Sequence, residues 1–343
     1  MEALATKYRP QTFESMVGQE AVITILKKQL ETETFKNTYL FCGPSGDGKT
    51  TIARIFANVL NRGFGSPIEI DGASNNGVDN VRAIIEESKL RAIDSEYKVI
   101  IIDECHMLTI QAWNAFLKCI EEPSPYTIFI FCTTDPQKIP ATILNRVQRF
   151  NLTRIPTDLI KQRLLYIATS EGCTDIEAAC DYIAKLCCGG LRDGIAMLEK
   201  CIGLSKNLNI KNVIYSLGNF SYETFLKLTN GLVDRDERTV IAIIEDCHNS
   251  GSDLKLFISQ YLDFILDLNK YCLFKDMGVT KIPGYLKDTG NNLCVDYAVG
   301  FEGSLAYFNK LSEYLLNLKN ELKNDTMPKT TVEIALLGIC RGK

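Results

Sequence analysis

The sequence contains no apolar run long enough to cross a membrane, and its opening residues, MEALATKYRP, hold no apolar core of signal-peptide length; a cytoplasmic protein is expected. No internal repeat or low-complexity tract stands out, and 46% hydrophobic residues leave ample apolar surface to bury, which argues against a disordered chain. An excess of positive charge is also missing. The formal net charge of −4 rules out a chain that is basic overall, but not a local basic face on which nucleic acid could bind. There is no CxxC pair, and the 13 cysteines are odd in number, many lying inside apolar runs such as YLFCG and IFIFCTT. That spacing favours reduced, mostly core cysteines over a disulfide or metal framework.

A chain of 343 residues exceeds what one hydrophobic core organises, so two or three domains are expected. Up to about residue 150, short apolar runs alternate with helical patterns. TYLFC (38–42), SPIEID (66–71), YKVIIID (97–103) and TIFIFCTT (127–134) read as buried strands; 49–60, 77–92 and 109–121 have helical character. This alternation predicts an α/β fold, a parallel sheet with helices on both faces. From about 157 the strand signal nearly disappears and helical periodicity takes over, as in DLIKQRLLYIATSEG and DLKLFISQYLDFILDLNKYCLF. Polar interruptions near 203–212 and 217–222 would separate a small helical lid from a C-terminal bundle, with 276–292 a loop inside that bundle by its glycine, proline and asparagine content.

The stretch GPSGDGKT (43–50) matches GxxxxGK[ST] between a strand and a helix. Gly43, Ser45, Gly46, Asp47, Gly48, Lys49, Thr50 and Thr51 are the candidate phosphate-binding residues. The glycines let backbone N–H groups turn toward β- and γ-phosphates, Lys49 adds charge, and the Thr50 hydroxyl can ligate magnesium. In VIIIDECH (99–106), four apolar residues place Asp103 and Glu104 at the carboxyl end of a strand, where α/β sheets hold ligands. Asp103 would hold the magnesium and Glu104 would polarise the attacking water of a phosphoryl transfer. Alone, a DE pair after a strand is often just a solvated strand end; the phosphate loop upstream gives it weight. In CTTDP (132–136), Thr133 or Thr134 could orient that water or sense the γ-phosphate, or simply cap the next turn. ATILNRVQRF (141–150) offers Arg146 at the end of a short helix, a position where a single arginine is usually a surface charge. GASNNGVDNVRAII reads as a polar loop opening a helix, whose free N–H groups attract a phosphate.

Together, KYRPQTFESMVGQE (7–20), GPSGDGKTT (43–51), IEIDGASNNGVDNVR (68–82), VIIIDECHML (99–108), NAFLKCIEEPSPYTIFIFCTTDPQKIPATILNR (114–146) and GGLRDGIAMLEKCI (189–202) closely resemble the gamma/tau subunit family of bacterial DNA polymerase III. That family is the AAA+ ATPase of the sliding-clamp loader, and the resemblance is dense over about 7–203. It implies an AAA+ P-loop core over 1–155, a helical lid over 156–215 and an all-helical collar over 216–343. It further implies ATP and Mg2+ as cofactors, and as partners a sliding clamp, primer-template DNA and other loader subunits in a ring, pentameric by resemblance; no membrane is involved. By position, Tyr8, Arg9, Pro10, Val17 and Gly18 match an N-terminal box that contacts adenine and ribose, and Lys49, Thr50, Asp103 and Glu104 keep the roles given above. Arg146 matches an arginine finger that reaches the γ-phosphate of the neighbouring subunit, and Arg192 the lid arginine that contacts nucleotide in cis. Arg82 is similar to a DNA-backbone contact; pairing with Glu86 at i,i+4 is the alternative of equal weight. The helix 109–122 lies near the clamp by resemblance; Trp113 in it is either an interface anchor or, the reading favoured here, core.

The sequence departs from the family at four places. ANVLNRGFGSPIEID (57–71) passes across the family's four-cysteine zinc module without a cysteine, so no zinc is expected. The finger motif reads Asn145-Arg146-Val147 in place of Ser-Arg-Cys, which bears on the orientation of the arginine. The NNG before Arg82 lacks basic residues, which weakens the expected grip on DNA, and tethering of a helicase or polymerase through a tau-type C-terminal extension is not expected. An active motor subunit is the favoured function. The alternatives are a non-hydrolysing scaffold, which would have a degraded phosphate loop or lack Glu104 or the lid arginine, and a branch-migration helicase, which would favour a winged-helix module over an all-helical C-terminal region.

Overall fold

The computed structural model describes residues 2–218, 220, 222–276 and 304–341. The chain divides into two compact units, one made of residues 1–170 and 183–199 and the other of residues 171–182 and 200–343.

The first unit is built on five parallel strands: β1 Thr38–Cys42, β2 Ile68–Asp71, β3 Lys98–Asp103, β4 Thr127–Thr133 and β5 Gln148–Asn151. Their order is β2-β3-β4-β1-β5, so the strands that precede the phosphate loop and end in Asp103 flank β4 on either side. Alternation along β1 assigns the two faces. Tyr39 and Phe41 join Val99, Ile101, Ile128 and Ile130 on one face, under helices α2 Glu20–Glu31 and α3 Lys49–Leu60. Leu40 and Cys42 join Ile100, Ile102, Phe129 and Phe131 on the other, under α4 Val78–Ser88, α5 Ile110–Glu121 and α6 Ala141–Leu144. Short helix α1 Leu4–Lys7 precedes this core, and α7 Thr157–Ser170 follows it.

The strands over 38–42 and 97–103 and the helix over 49–60 fall where the apolar pattern predicts. The reading of 66–71 as a buried strand is corrected: β2 is the sheet edge, pairing with β3 alone and leaving Glu69 and Asp71 exposed or partly so. The strand signal also missed β5, because only Phe150 of its four residues is buried. Trp113 is core, 1% exposed and packed against Phe116 and Phe131. Its helix is started by Thr109, whose hydroxyl accepts the Ala112 N–H at 3.2 Å. Among the described cysteines eight are buried, Cys42, Cys105, Cys132 and Cys187 within the sheet unit.

The other unit is built from helices, with one isolated parallel bridge between Thr174 and Asn207 among its described residues. Helices α8 Ile176–Leu186 and α9 Leu191–Leu204 carry the chain between the units. They are followed by α10 Ile210–Leu217, α11 Tyr222–Val233, α12 Glu237–Asn249, α13 Leu254–Asp276, α14 Ser304–Glu321 and α15 Pro328–Cys340. One apolar core runs through the last five, with Phe225, Ile244, Phe257, Tyr261, Phe308 and Leu336 at its centre. The stretch 276–292, read from sequence as a loop of this bundle, lies outside the described residues except for its first. Among the described residues no helix is long and apolar enough to cross a membrane.

Candidate nucleotide-binding site

The cleft lies at the carboxyl ends of β1 and β3, and every residue lining it belongs to the first unit. The phosphate loop makes its floor. Gly46 and Gly48 have φ of +81° and +94°, a left-handed backbone that L side chains rarely adopt. Space is equally restrictive, since a Cβ on Gly46 would meet the Cα of Gly190 at 3.3 Å and one on Gly48 would meet Met16 at 3.0 Å. The loop then turns into α3, whose first residue, Lys49, is buried. Its ammonium donates to the carbonyls of Gly43 at 2.8 Å and Pro44 at 2.6 Å, which holds the charge inside the cleft.

At the end of β3 the Asp103 carboxylate accepts from two sides: the Thr50 hydroxyl at 2.7 Å and the Glu104 N–H at 3.0 Å. Glu104 itself has φ 44° and ψ 43°, a left-handed conformation that is uncommon for a residue with a side chain and recurs at functional sites. Its carboxylate accepts the Thr134 hydroxyl at 3.0 Å. Of the two threonines left open by the sequence, Thr134 is thus the one on Glu104, whereas Thr133 lies 3.2 Å from His106. Thr50 and Asp103 together offer hard oxygens of the kind that suit magnesium.

Tyr8, Arg9, Pro10, Val17, Ser45, Gly46, Asp47, Gly48, Lys49, Thr50, Thr51, Asp103, Glu104 and Arg192 all line this one cleft. Gly18 is next to it with φ +70°, packed on Ile155. Gly43 lies under it, where a Cβ would collide with the Leu152 carbonyl at 2.9 Å. Arg192 follows Gly190 at the start of α9, over the loop. Burial pulls the Arg9 guanidinium below its usual pKa, helped by the positive charge of Arg54 and Arg192 and opposed by Glu69. Asp47 is only 1% exposed, and neither carboxylate oxygen has a hydrogen-bond partner among the described residues. Burial raises its pKa to about 6 against the pull of Lys49 and Arg154.

Arg146 and Arg82 are not in the cleft. Arg146 caps the end of α6, donating to the Thr142 carbonyl at 2.6 Å and pairing with Glu121 at 2.5 Å. Arg82 pairs with Asp79 at 3.3 Å, and Glu86, the partner weighed from sequence, pairs with Lys89. Sequence reasoning missed Arg163. This residue lines the cleft, donates to the Tyr8 carbonyl at 2.7 Å and lies over the Tyr166 ring, 5.2 Å from its centroid. Its distance of 155 positions from Tyr8 leaves no local signal.

Residues 67–156 match the family model described as DNA polymerase III, delta subunit. The chain is 33% identical to DNA polymerase III subunit tau of Bacillus subtilis, over 99% of this chain and 63% of that one. It is 31% identical to subunit tau of Escherichia coli, over 82% of this chain and 48% of that one. The chain therefore spans between about half and two thirds of the length of these tau relatives. Against DNA polymerase III subunit gamma of Buchnera aphidicola it is 30% identical, over 98% of both chains. Among solved structures, the RuvB Holliday junction branch migration motor of Thermotoga maritima matches with a TM-score of 0.53 at 21% identity, covering 66% of this chain and 79% of that one. That likeness bears on the fold alone, whereas the match to subunit gamma over 98% of both chains shows the family: the chain belongs to the DNA polymerase III gamma/tau family.

Proposed function

We propose that this chain is an ATPase motor subunit of a DNA-replication sliding-clamp loader, with an AAA+ core over 1–155, a lid over 156–215 and a collar over 216–343. The observation that carries the reading is the 2.7 Å bond between Thr50 and Asp103, which joins the phosphate loop to the acidic strand end. Lys49 would exchange its two carbonyl partners for β- and γ-phosphate oxygens on ATP binding. Magnesium held by Thr50 and Asp103 would draw charge from the phosphates. Glu104 would accept a hydrogen bond from the attacking water and align it, while Tyr8, Arg9, Pro10, Val17 and Gly18 hold the base and ribose. Arg192 would contact the phosphates in cis, and Arg146, outside the cleft, would serve the site of a neighbouring subunit in a ring. ATP binding then favours the assembled state that opens a clamp, and loss of the γ-phosphate releases it on primer-template DNA, gripped in part through Arg82.

Steady-state ATP hydrolysis by the chain, with a candidate clamp and small loader subunit, with and without primed DNA, tests this reading. Stimulation that requires both clamp and primed DNA is expected. A near-zero rate despite ATP binding would instead favour the scaffold, and stimulation by branched DNA without a clamp would favour the helicase.

A further inference from the structure

One side chain beside the acidic strand end has no part in the mechanism above. His106 follows Glu104 by two residues in a short 3-10 turn, Cys105–Met107, and its side chain is mostly buried. Its Nδ1 lies 3.2 Å from Oε2 of Glu104 and 3.2 Å from the hydroxyl of Thr133. The Thr134 hydroxyl donates to the same Glu104 oxygen at 3.0 Å. An ionised carboxylate only accepts, so a bare Nδ1 at this distance would set lone pair against lone pair, whereas a proton on Nδ1 could be shared between Glu104 and Thr133. The Thr133 hydroxyl oxygen also accepts the Asp135 N–H at 3.0 Å, which fixes it at the end of β4. Nδ1 of His106, in the turn after β3, and the Thr134 hydroxyl, just past the end of β4, therefore both lie against Oε2. The other oxygen, Oε1, has no hydrogen-bond partner among the described residues.

Building on the ATPase reading above, we propose that His106 is a positioning residue for ATP hydrolysis: its Nδ1–H and the Thr134 hydroxyl together hold Oε2 of Glu104, so that Oε1 faces the attacking water. The left-handed backbone of Glu104 sets where the carboxylate starts, and the two donors set how it is turned. A donor on one oxygen and none on the other makes the two oxygens unequal, with the free one the better acceptor for water.

The test uses the full chain and three substitutions. In His106→Asn the amide nitrogen can take the place of Nδ1, in His106→Gln it falls where Nε2 was, and His106→Ala removes both. Turnover should fall about tenfold or more in the alanine and glutamine variants and recover most of the way in the asparagine variant. The Kd for ATP should stay within about twofold throughout, since Glu104, the cleft residue that His106 touches, is assigned to the attacking water and not to the nucleotide. Wild-type turnover in His106→Ala, or equal rescue by glutamine and asparagine, would overturn the proposal. A direct readout is available because the sequence has only two histidines. In 15N-histidine-labelled wild-type protein, the His106 ring should carry its proton on Nδ1; an Nε2–H tautomer would overturn the proposal whatever the kinetics. A wild-type chain assembled with clamp, loader subunit and primed DNA that binds ATP without hydrolysing it would overturn the ATPase reading itself, a result distinct from either of these.

Discussion

The hydroxyl of Thr50 donates to the carboxylate of Asp103 across 2.7 Å, although the two residues are 53 positions apart. The contact exists because β1 and β3 end on the same edge of a parallel sheet with β4 between them. Thr50→Ala removes the donor, and Asp103→Asn keeps the shape while removing the charge. Both variants should lose the magnesium dependence of ATP affinity, and turnover should drop by about 10²-fold or more. Titrating ATP with and without magnesium checks this; a variant that still binds more tightly with the metal would remove Thr50 and Asp103 as its ligands.

Asp47 places an unpartnered buried carboxylate in a loop built to receive anions. Its pKa is raised to about 6, so the folded chain holds a proton that the unfolded chain gives up. Stability contributed this way is lost as pH rises: the cost is absent below the ordinary carboxylate range and complete above about 6. Asp47→Asn removes the cost, so the variant should gain on wild type between pH 4 and 7, by at most about 3 kcal/mol. Its ATP affinity at pH 8 should also rise, because a negative charge beside the phosphates is gone. Denaturation curves across this pH range are the check, and parallel curves for the two proteins would contradict the reading.

What was legible in the sequence follows physical range. The phosphate loop, the acidic strand end and the helix over 49–60 are local patterns, and they fall where the residues said they would. Burial at β2 was misread because Ile68 and Ile70 look like core, whereas its place at the sheet edge is decided by pairing with β3 alone. Arg163 and His106 were invisible for a different reason. Arginine seven residues into a helix and histidine after an acidic pair acquire meaning only from partners that other segments bring, Tyr8 in one case and Thr133 in the other.

Arg163 should matter to binding more than to chemistry. It holds the Tyr8 carbonyl at 2.7 Å, and Tyr8 meets the Tyr166 ring edge-on at 6.2 Å, so one arginine orders the N-terminal wall of the cleft. Arg163→Ala should weaken ATP binding by about tenfold through the lost charged hydrogen bond. Turnover at saturating ATP should change little. A drop in turnover with unchanged affinity would show that the arginine acts on the reacting phosphate.

Arg146 separates a structural role from one in trans. Its pairing with Glu121 is part exposed, so losing it should change the stability of the chain by no more than about 1 kcal/mol. Arg146→Ala should therefore fold and bind ATP as wild type does, while hydrolysis in the assembled complex falls by about 10³-fold. Mixing the variant with a Glu104→Gln chain is the sharper check, because the first supplies an intact acidic site and the second an intact finger. Partial recovery of turnover is expected in the mixture, and near-normal turnover by Arg146→Ala alone would refute the assignment.

Asp79 and Arg82 make the DNA reading testable by opposing changes. Helix α4 opens at Val78 after Gly77, with no side chain capping it, which suits a phosphate. The acidic residue in its first turn, Asp79, pairs with Arg82 at 3.3 Å, and both side chains are exposed. Such a pair contributes little to stability, so breaking it is cheap. If Arg82 contacts the DNA backbone, Asp79 competes for it, and Asp79→Ala should tighten binding to primer-template DNA while Arg82→Ala weakens it. The salt dependence discriminates further: one lost phosphate contact lowers the slope of log affinity against log salt by about 0.9. Arg82→Ala should show that loss for every duplex sequence tried, since a backbone contact carries no base information. Unchanged slope in Arg82→Ala would assign the arginine to the helix surface alone and leave the N–H groups of the first turn as the site of contact.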